Sequence, residues 1–312
     1  MVSIILPNYN HAPFLKQRID SILNQTFQDF ELIILDDCST DNSRDIIEVY
    51  RKNPHISHII YNETNSGSPF KQWRKGIDLA KGEYIWIAES DDWCESTLVE
   101  TLIPPLDADE QITFGFVQSY YIVENEIKWI SKEDYLENSV EGRMFIKSHL
   151  LYRNAVFNAS MAIFKKKYFD AINNHIYTNY KFCGDWLFWG LMAAQGKVFI
   201  SGKILNFFRK HVADVSGGAY SSGLNYLEEF DVLQSFYENG YIEKSELKNA
   251  LHAKYDNFTL KRVNLPSDKI AEIDQKFSNY IDIRHVKNNK FVCLKIKNVL
   301  YSCKNKIIRA FR

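Results

Sequence analysis

Neither a GxGxxG nor a GxxxxGK(S/T) element follows the first apolar segment, Val2–Leu6, so neither a dinucleotide-binding Rossmann domain nor a P-loop is supported. The five cysteines, Cys38, Cys94, Cys183, Cys293 and Cys303, show no CxxC spacing, and their odd number argues against a complete disulfide framework. A reducing, cytoplasmic compartment is therefore expected. No apolar run approaches the roughly 18 residues that mark a membrane-crossing helix. Met1 runs straight into Val2–Leu6 without a basic leader or a long apolar core, so no secretory signal is expected. Net charge is nearly absent too, and the formal value of −1 gives no support for a nucleic-acid partner.

What is present suits a globular α/β protein. A chain of 312 residues with 46% hydrophobic content can bury one α/β domain of roughly 200–250 residues and leave a smaller appendage. Charge is unevenly spread. Residues 283–312 hold nine Lys or Arg and no Asp or Glu, which leaves 29 basic against 39 acidic residues in the remainder.

The first ninety residues alternate strand and helix patterns. Val2–Leu6 is a buried-type strand left by the turn Pro7-Asn8-Tyr9-Asn10, and a helix begins near Ala12, with Phe14, Leu15, Ile19, Ile22 and Leu23 at helical spacing. Phe30–Leu35 is a second strand running into Asp36–Asp41, an acidic turn before a helix from Ser43 to about Lys52. Ile56–Tyr61 is a third strand, and a helix over Phe70–Ala80 leads to a fourth, Tyr84–Ala88, which ends in Glu89-Ser90-Asp91-Asp92. This order predicts a parallel sheet with right-handed crossovers. Both acidic turns then leave the same sheet edge, where ligands of open α/β sheets bind. Clustered carboxylates repel unless a cation lies among them, and oxygen ligands beside substrate phosphates suit Mn²⁺ or Mg²⁺. The alternative is that Asp91 or Asp92 caps a following helix. A tyrosine such as Tyr9 can stack on a base, and a carboxylate such as Asp37 can accept from a ring N–H.

Four stretches, Pro7–Asn10, Glu31–Asp41, Lys81–Tyr84 and Glu89–Asp92, together resemble the successive signatures of family 2 glycosyltransferases with the GT-A fold, closely over residues 1–125 and more loosely to about 216. The resemblance implies an inverting transferase that moves a sugar from a nucleotide-diphosphate donor, a UDP-sugar being favoured, to an acceptor hydroxyl on a glycan or lipid-linked acceptor in cell-surface polysaccharide assembly. By position, Pro7, Tyr9, Asn10 and Asp37 contact the nucleotide-sugar, and Asp91 or Asp92 holds the metal on the diphosphate. Glu89 stands where the family usually has the first Asp of DxD. Trp73-Arg74-Lys75-Gly76 replaces a usual Arg-Asn pair before Gly, which places Arg74 and Lys75 as phosphate contacts.

The same resemblance extends to the acceptor half. Thr113–Ile122 reads as a strand, Glu124–Glu141 as a variable loop and Asn158–Phe164 as a strand bordering the acceptor site, with Asn158 and Ser160 as sugar contacts. Cys183-Gly184-Asp185-Trp186 resembles the motif that supplies the catalytic base, here Asp185, although Gly184 replaces the usual Glu. Trp186 is a further acceptor candidate. Phe207–His211, after strands at Val198–Ile200 and Leu205–Phe208, resembles the element whose Arg209 and His211 meet the diphosphate or its metal. Val212–Gly223 reads as a flap. The expected organisation is a GT-A domain over residues 1–216, split near 110 into nucleotide-sugar and acceptor halves, and a helical region over 217–312. Two or three helices fill 224–277, and a basic amphipathic helix within 290–312 either contacts the anionic inner membrane leaflet or covers the core. Other readings are a non-catalytic nucleotide-sugar-binding subunit and a nucleotidyltransferase, the latter lacking the expected basic, glycine-rich loop.

Overall fold

A computed structural model describes residues 1–131, 137–211 and 215–283. The alternation read from the first ninety residues is present as β1 (Val2–Asn8), α1 (Ala12–Leu23), β2 (Phe30–Asp36), α2 (Ser43–Val49), β3 (Ile56–Tyr61), α3 (Pro69–Leu79) and β4 (Tyr84–Ile87). β1, β2 and β4 are buried along their whole length, as strands covered on both faces must be. β1 pairs in parallel with β2 and β4, and β2 in parallel with β3. The turns after β2 and β4 therefore leave one edge.

The remaining elements are β5 (Trp93–Cys94), α4 (Leu98–Ala108), β6 (Ile112–Val123), β7 (Glu126–Ile130), β8 (Glu137–Glu141), α5 (Gly142–Phe145), β9 (Ala162–Lys165), α6 (Lys166–Asp170), α7 (Gly184–Ala193), β10 (Lys197–Lys210), α8 (Val215–Ser222), α9 (Leu224–Glu238), α10 (Lys244–Lys261) and α11 (Ser267–Ser278). The sheet runs β3-β2-β1-β4-β9-β6-β10-β5, with β7 added to β6 and β8 to β10. β9 is antiparallel to both β4 and β6 and so joins the parallel nucleotide half to the acceptor half. The result is a mixed α/β fold of GT-A type with a helical extension.

Several local expectations change. The segment Glu124–Glu141, read as a loop because it is polar, contains β7 and β8, whose exposed faces have no need of an apolar pattern. The apolar run Asn158–Phe164 begins as a 3₁₀ turn, Ala159–Met161, and only then becomes β9. The two short strands expected between 198 and 208 are one strand, β10, whose pairing with β6 shifts between Ile200 and Asn206, so the polar interruption Ser201-Gly202-Lys203 is an irregularity within it. In the segment read as a flap, α8 spans Val215–Ser222. The amphipathic helix expected within 290–312, and the membrane contact assigned to it, lie outside the described residues. No described helix is long and apolar enough to cross a membrane.

The helical region packs on the helix that carries Asp185. A Cβ added to Gly190 in α7 would lie 2.2 Å from Cε1 of the fully buried Phe236 in α9. Alanine favours helix by about 1 kcal/mol, but the overlap costs more, and Gly190→Ala is expected to lose about 1–2 kcal/mol net. A denaturant midpoint equal to that of the unchanged chain would refute this contact.

Candidate active site

The site forms where β1, β2, β4 and β10 end. A cleft of about 700 Å³ opens there, walled on one side by the turns after β1 and β4 and on the other by the start of α7 and by α8. Gly218, Ala219, Ser222 and Leu224 line it, so the cleft draws residues from both sides of the boundary expected at 216.

The acid cluster lies beside the cleft floor. Neither Asp91 nor Asp92 caps a helix, since α4 starts at Leu98 with Thr97 at its N-cap. Instead β5 follows at once and pairs antiparallel with β10, Trp93 opposite Phe207 and Cys94 opposite Asn206. That pairing brings Asp91 and Asp92 to Arg209 and His211. Asp92 is buried, and its oxygens accept from the Asn158 amide and from the backbone N–H of Arg209 (3.0 Å). Asp91 takes the other direction, with its Oδ2 3.1 Å from His211 Nε2. His11, in the turn after β1, stands 5.3 Å from His211 between ring centroids, and its Nδ1 lies 2.8 Å from Ser90 Oγ. Among the described residues, His11, Asp91 and His211 form a group whose ligand atoms all lie within 4.8 Å of one another.

Electrostatics separates the three acids. Burial, reinforced by repulsion from Asp91 and Asp92, pushes the Glu89 carboxyl up to about 8, although Trp73 Nε1 donates to it at 2.9 Å. Burial would raise Asp91 as well, but the His211 hydrogen bond and the charges of His11 and His211 outweigh it and hold the carboxyl low. Asp92 is pushed up by burial and by Asp91. Burial also lowers His11, which favours the neutral imidazole that ligates metals. Two imidazoles and an ionised carboxylate suit Mn²⁺ better than Mg²⁺, because magnesium prefers an all-oxygen shell. The donor set at His11, Asp91 and His211 therefore fits a transition-type divalent ion, and Asp92 lies beside it with both oxygens hydrogen-bonded. Arg18, fully buried over the Trp86 ring at 5.0 Å, adds positive charge that favours the ionised forms of Glu89 and Asp92.

Pro7, Tyr9, Asn10 and Asp37 all line the cleft. Tyr9 is exposed at 47% and offers a free ring face. The Asp37 carboxylate is already occupied: it accepts from Asn62 Nδ2 (2.6 Å), Gln72 Nε2 (2.9 Å), and the backbone N–H and hydroxyl of Ser66 (3.0 and 2.7 Å). Asn10 has positive φ, and its Oδ1 accepts from the backbone N–H groups of Thr40 and Asp41, tying the first turn to the second.

Of the other sequence candidates, Asn158, Asp185 and Arg209 line the cleft, and Arg74, Lys75, Ser160 and Trp186 do not. Arg74 is paired with Asp78 at 2.8 Å and Lys75 donates to Asn62 Oδ1 at 2.5 Å, and neither lines the cleft. The exposed cation on its wall is Lys181, which the sequence reading did not single out. Ser160 is fully buried and its hydroxyl accepts from the Glu89 N–H at 3.0 Å, so it shapes the acid turn rather than contacting a sugar. Trp186 is buried with its indole N–H on the Leu150 carbonyl at 2.9 Å. Asn158 does reach the cleft wall, between Asp92 and Asn206. The Arg209 guanidinium is not open to solution: it stacks between Phe14 and Trp93, 4.4 Å from each ring, and donates to the Asp91 carbonyl and to Gln17.

Asp185 lies in the first turn of α7 and faces the cleft. Asn154 Nδ2 donates to its Oδ2 at 3.0 Å and the Trp186 N–H to its Oδ1 at 2.7 Å. Burial nevertheless pushes its carboxyl up to about 7, against those two hydrogen bonds. The missing glutamate at 184 has a steric reason. A Cβ there would lie 2.5 Å from the Phe70 ring and 2.6 Å from the Tyr177 carbonyl oxygen.

Of the residues missed, His11 had a signal, since it continues the turn after the first strand at the ligand edge. Lys181 and Asn154 had none.

The chain is similar in sequence and fold to several known proteins. Glycosyltransferase GlyG of Streptococcus pneumoniae serotype 4 is 34% identical over 121 residues, 38% of this chain and 40% of that protein. The putative teichuronic acid biosynthesis glycosyltransferase TuaG of Bacillus subtilis is 38% identical over 103 residues, 33% of this chain and 40% of that protein. The matched region thus spans 40% of the length of each. The solved structure of Staphylococcus aureus TarS residues 1–349 with UDP-GlcNAc shares the fold at a TM-score of 0.63 and 22% identity, covering 84% of this chain and 74% of that one. The glycosyl transferase family 2 model matches residues 3–172, more than half of the chain. With this match and the four signature stretches in order, the chain belongs to glycosyl transferase family 2.

Proposed function

We propose that the protein is a divalent-metal-dependent, inverting glycosyltransferase that moves a sugar from a UDP-sugar to a hydroxyl of a cell-envelope polysaccharide or lipid-linked glycan. The observation that carries this is one cleft lined by His11 and Asp91 on the sheet side, with His211 grouped behind them, and by Asp185 on the helix side. A metal held by those three residues supplies positive charge against a leaving diphosphate. Tyr9 stacks on the nucleobase at the mouth, and Lys181 is the exposed cation available to phosphate oxygens. Asp185 takes the proton from the acceptor hydroxyl, and Asn154 and the Trp186 N–H hold the carboxylate in place for it. The UDP-GlcNAc bound by TarS and the teichuronic acid named for TuaG support a UDP-sugar donor and an envelope acceptor.

The test is a screen of UDP-sugars for UDP release with and without Mn²⁺. Mn²⁺-dependent release is expected. Thermal stabilisation by a UDP-sugar with no release under any metal would instead identify a non-catalytic donor-binding subunit.

A further inference from the structure

We propose that Glu228, on α9, is a positioning residue for Asp185, acting through the backbone that leads into α7. One oxygen of its carboxylate accepts the N–H of Lys181 at 2.9 Å, and the other accepts those of Phe182 (2.8 Å) and Cys183 (2.7 Å). Three consecutive amides thus converge on one carboxylate, and the last belongs to the α7 N-cap, Cys183, which makes no side-chain cap bond of its own. Helix N-termini leave their N–H groups without partners and favour negative charge, so a carboxylate supplied from another helix satisfies both needs. Glu228 is only 8% exposed, so water competes little for these bonds.

The next residue along the chain, Gly184, is crowded as well. The Phe70 ring and the Tyr177 carbonyl oxygen occupy the space beside Gly184, leaving no room for a side chain there. Backbone bonded to Glu228 through residue 183 and packed by Phe70 and Tyr177 at residue 184 has little freedom, and it fixes where Asp185 enters the cleft. It fixes Lys181 and Phe182 too, both of which line the cleft. The helical region after α8 is on this reading part of the catalytic apparatus rather than an attachment to it.

Charge gives the clamp a signature that packing alone would not have. The charged and titratable groups around this peptide include Lys181 within it, Asp185, Glu228, the buried Cys183 thiol, Tyr180 with Asp231 beside it, and Glu229, which pairs with Lys254 at 2.8 Å. Of these, Glu228 adds to the upward push on Asp185.

The inference rests on Asp185 acting as base, so the experiment separates the two. Rates of UDP release from UDP-N-acetylglucosamine and UDP-glucose would be measured against pH for the unchanged chain and for Asp185→Asn, Glu228→Gln and Glu228→Asp. For Glu228→Gln we expect kcat to fall about tenfold or more through misplacement. Its acid limb should move to lower pH by about half a unit, because a negative charge near Asp185 is gone. UDP affinity should fall by less than kcat does, since Lys181 is the one proposed donor contact on the clamped segment. Glu228→Asp keeps the charge but is shorter, so its limb should stay in place while kcat falls. Unchanged kcat and limb in folded Glu228→Gln, with Asp185→Asn inactive, would overturn the clamp and leave the base standing. Turnover by Asp185→Asn would remove the base and the clamp's purpose together. Should Glu228→Gln not fold, Glu228→Asp decides: a tenfold loss with an unmoved limb supports the clamp, and an unchanged kcat refutes it.

Discussion

Replacing Asp185 by asparagine is expected to lower sugar transfer about 10³-fold while leaving UDP affinity within about twofold. The side chains are nearly isosteric, so Asn154 and the Trp186 N–H still have an oxygen to bond, and only the capacity to take a proton is lost. Donor affinity should survive because none of the groups assigned to the donor, Tyr9, Lys181 and the metal cluster, is bonded to the Asp185 side chain. The unchanged chain provides a second check through pH. A base must be unprotonated to act, and burial raises this carboxyl from 3.8 to about 7. Activity should therefore rise with pH up to about 7 and fall roughly tenfold per unit below it. A limb near pH 4, or full turnover in Asp185→Asn, would show that another group takes the proton.

Asp91→Ala is expected to abolish metal-dependent UDP release and to weaken Mn²⁺ binding at least about 100-fold. Loss of a residue that merely orients a ligand costs 10–100-fold, and loss of a ligand should cost no less. Electron paramagnetic resonance titration of Mn²⁺ reads this without any substrate. Folding should not suffer. Asp91 is a source of the repulsion that raises Glu89 and Asp92, and Arg209 bonds its backbone carbonyl rather than its carboxylate. The metal-free melting temperature is expected to stay level or rise. Unchanged Mn²⁺ affinity would dismiss the His11–Asp91–His211 site, and a large fall in melting temperature would make Asp91 structural.

The two acids of one motif thus have different duties, and the sequence had left them interchangeable. Asp92 points inward to Asn158 and the Arg209 backbone, whereas Asp91 points to His211. The chain makes a tight turn here, the Asp92 N–H returning to the Glu89 carbonyl at 3.3 Å, and one of the two carboxylates faces His211. Which one does depends on the pairing of β5 with β10, more than a hundred residues away in sequence.

Glu89 illustrates a related point. In sequence it was a longer carboxylate where the family usually has aspartate. In the fold it receives the Trp73 indole N–H, and Trp73 belongs to the tetrapeptide that replaces the usual Arg-Asn pair. The two departures from the family pattern are therefore in contact. Arg74 and Lys75 of that tetrapeptide are turned away from the cleft, so the phosphate role assigned to them has no support in the fold.

What the sequence determined by itself is local and periodic. Apolar runs of strand length separated by helical patterns specify the β-α-β order, and the right-handed parallel crossover then forces both acidic turns to one edge. Each of the four signature stretches is a strand end, its adjoining turn or both, contiguous in sequence, which is why the family was legible without coordinates. What only the tertiary structure decided concerns residues brought together from distant elements. His11 and His211 meet because β10 ends beside β5, Arg209 is spent between Phe14 and Trp93, and Ser160 and Trp186 turn into the core. Side-chain direction at these places is set by strand register and packing, and neither is written in the spacing of residues along the chain.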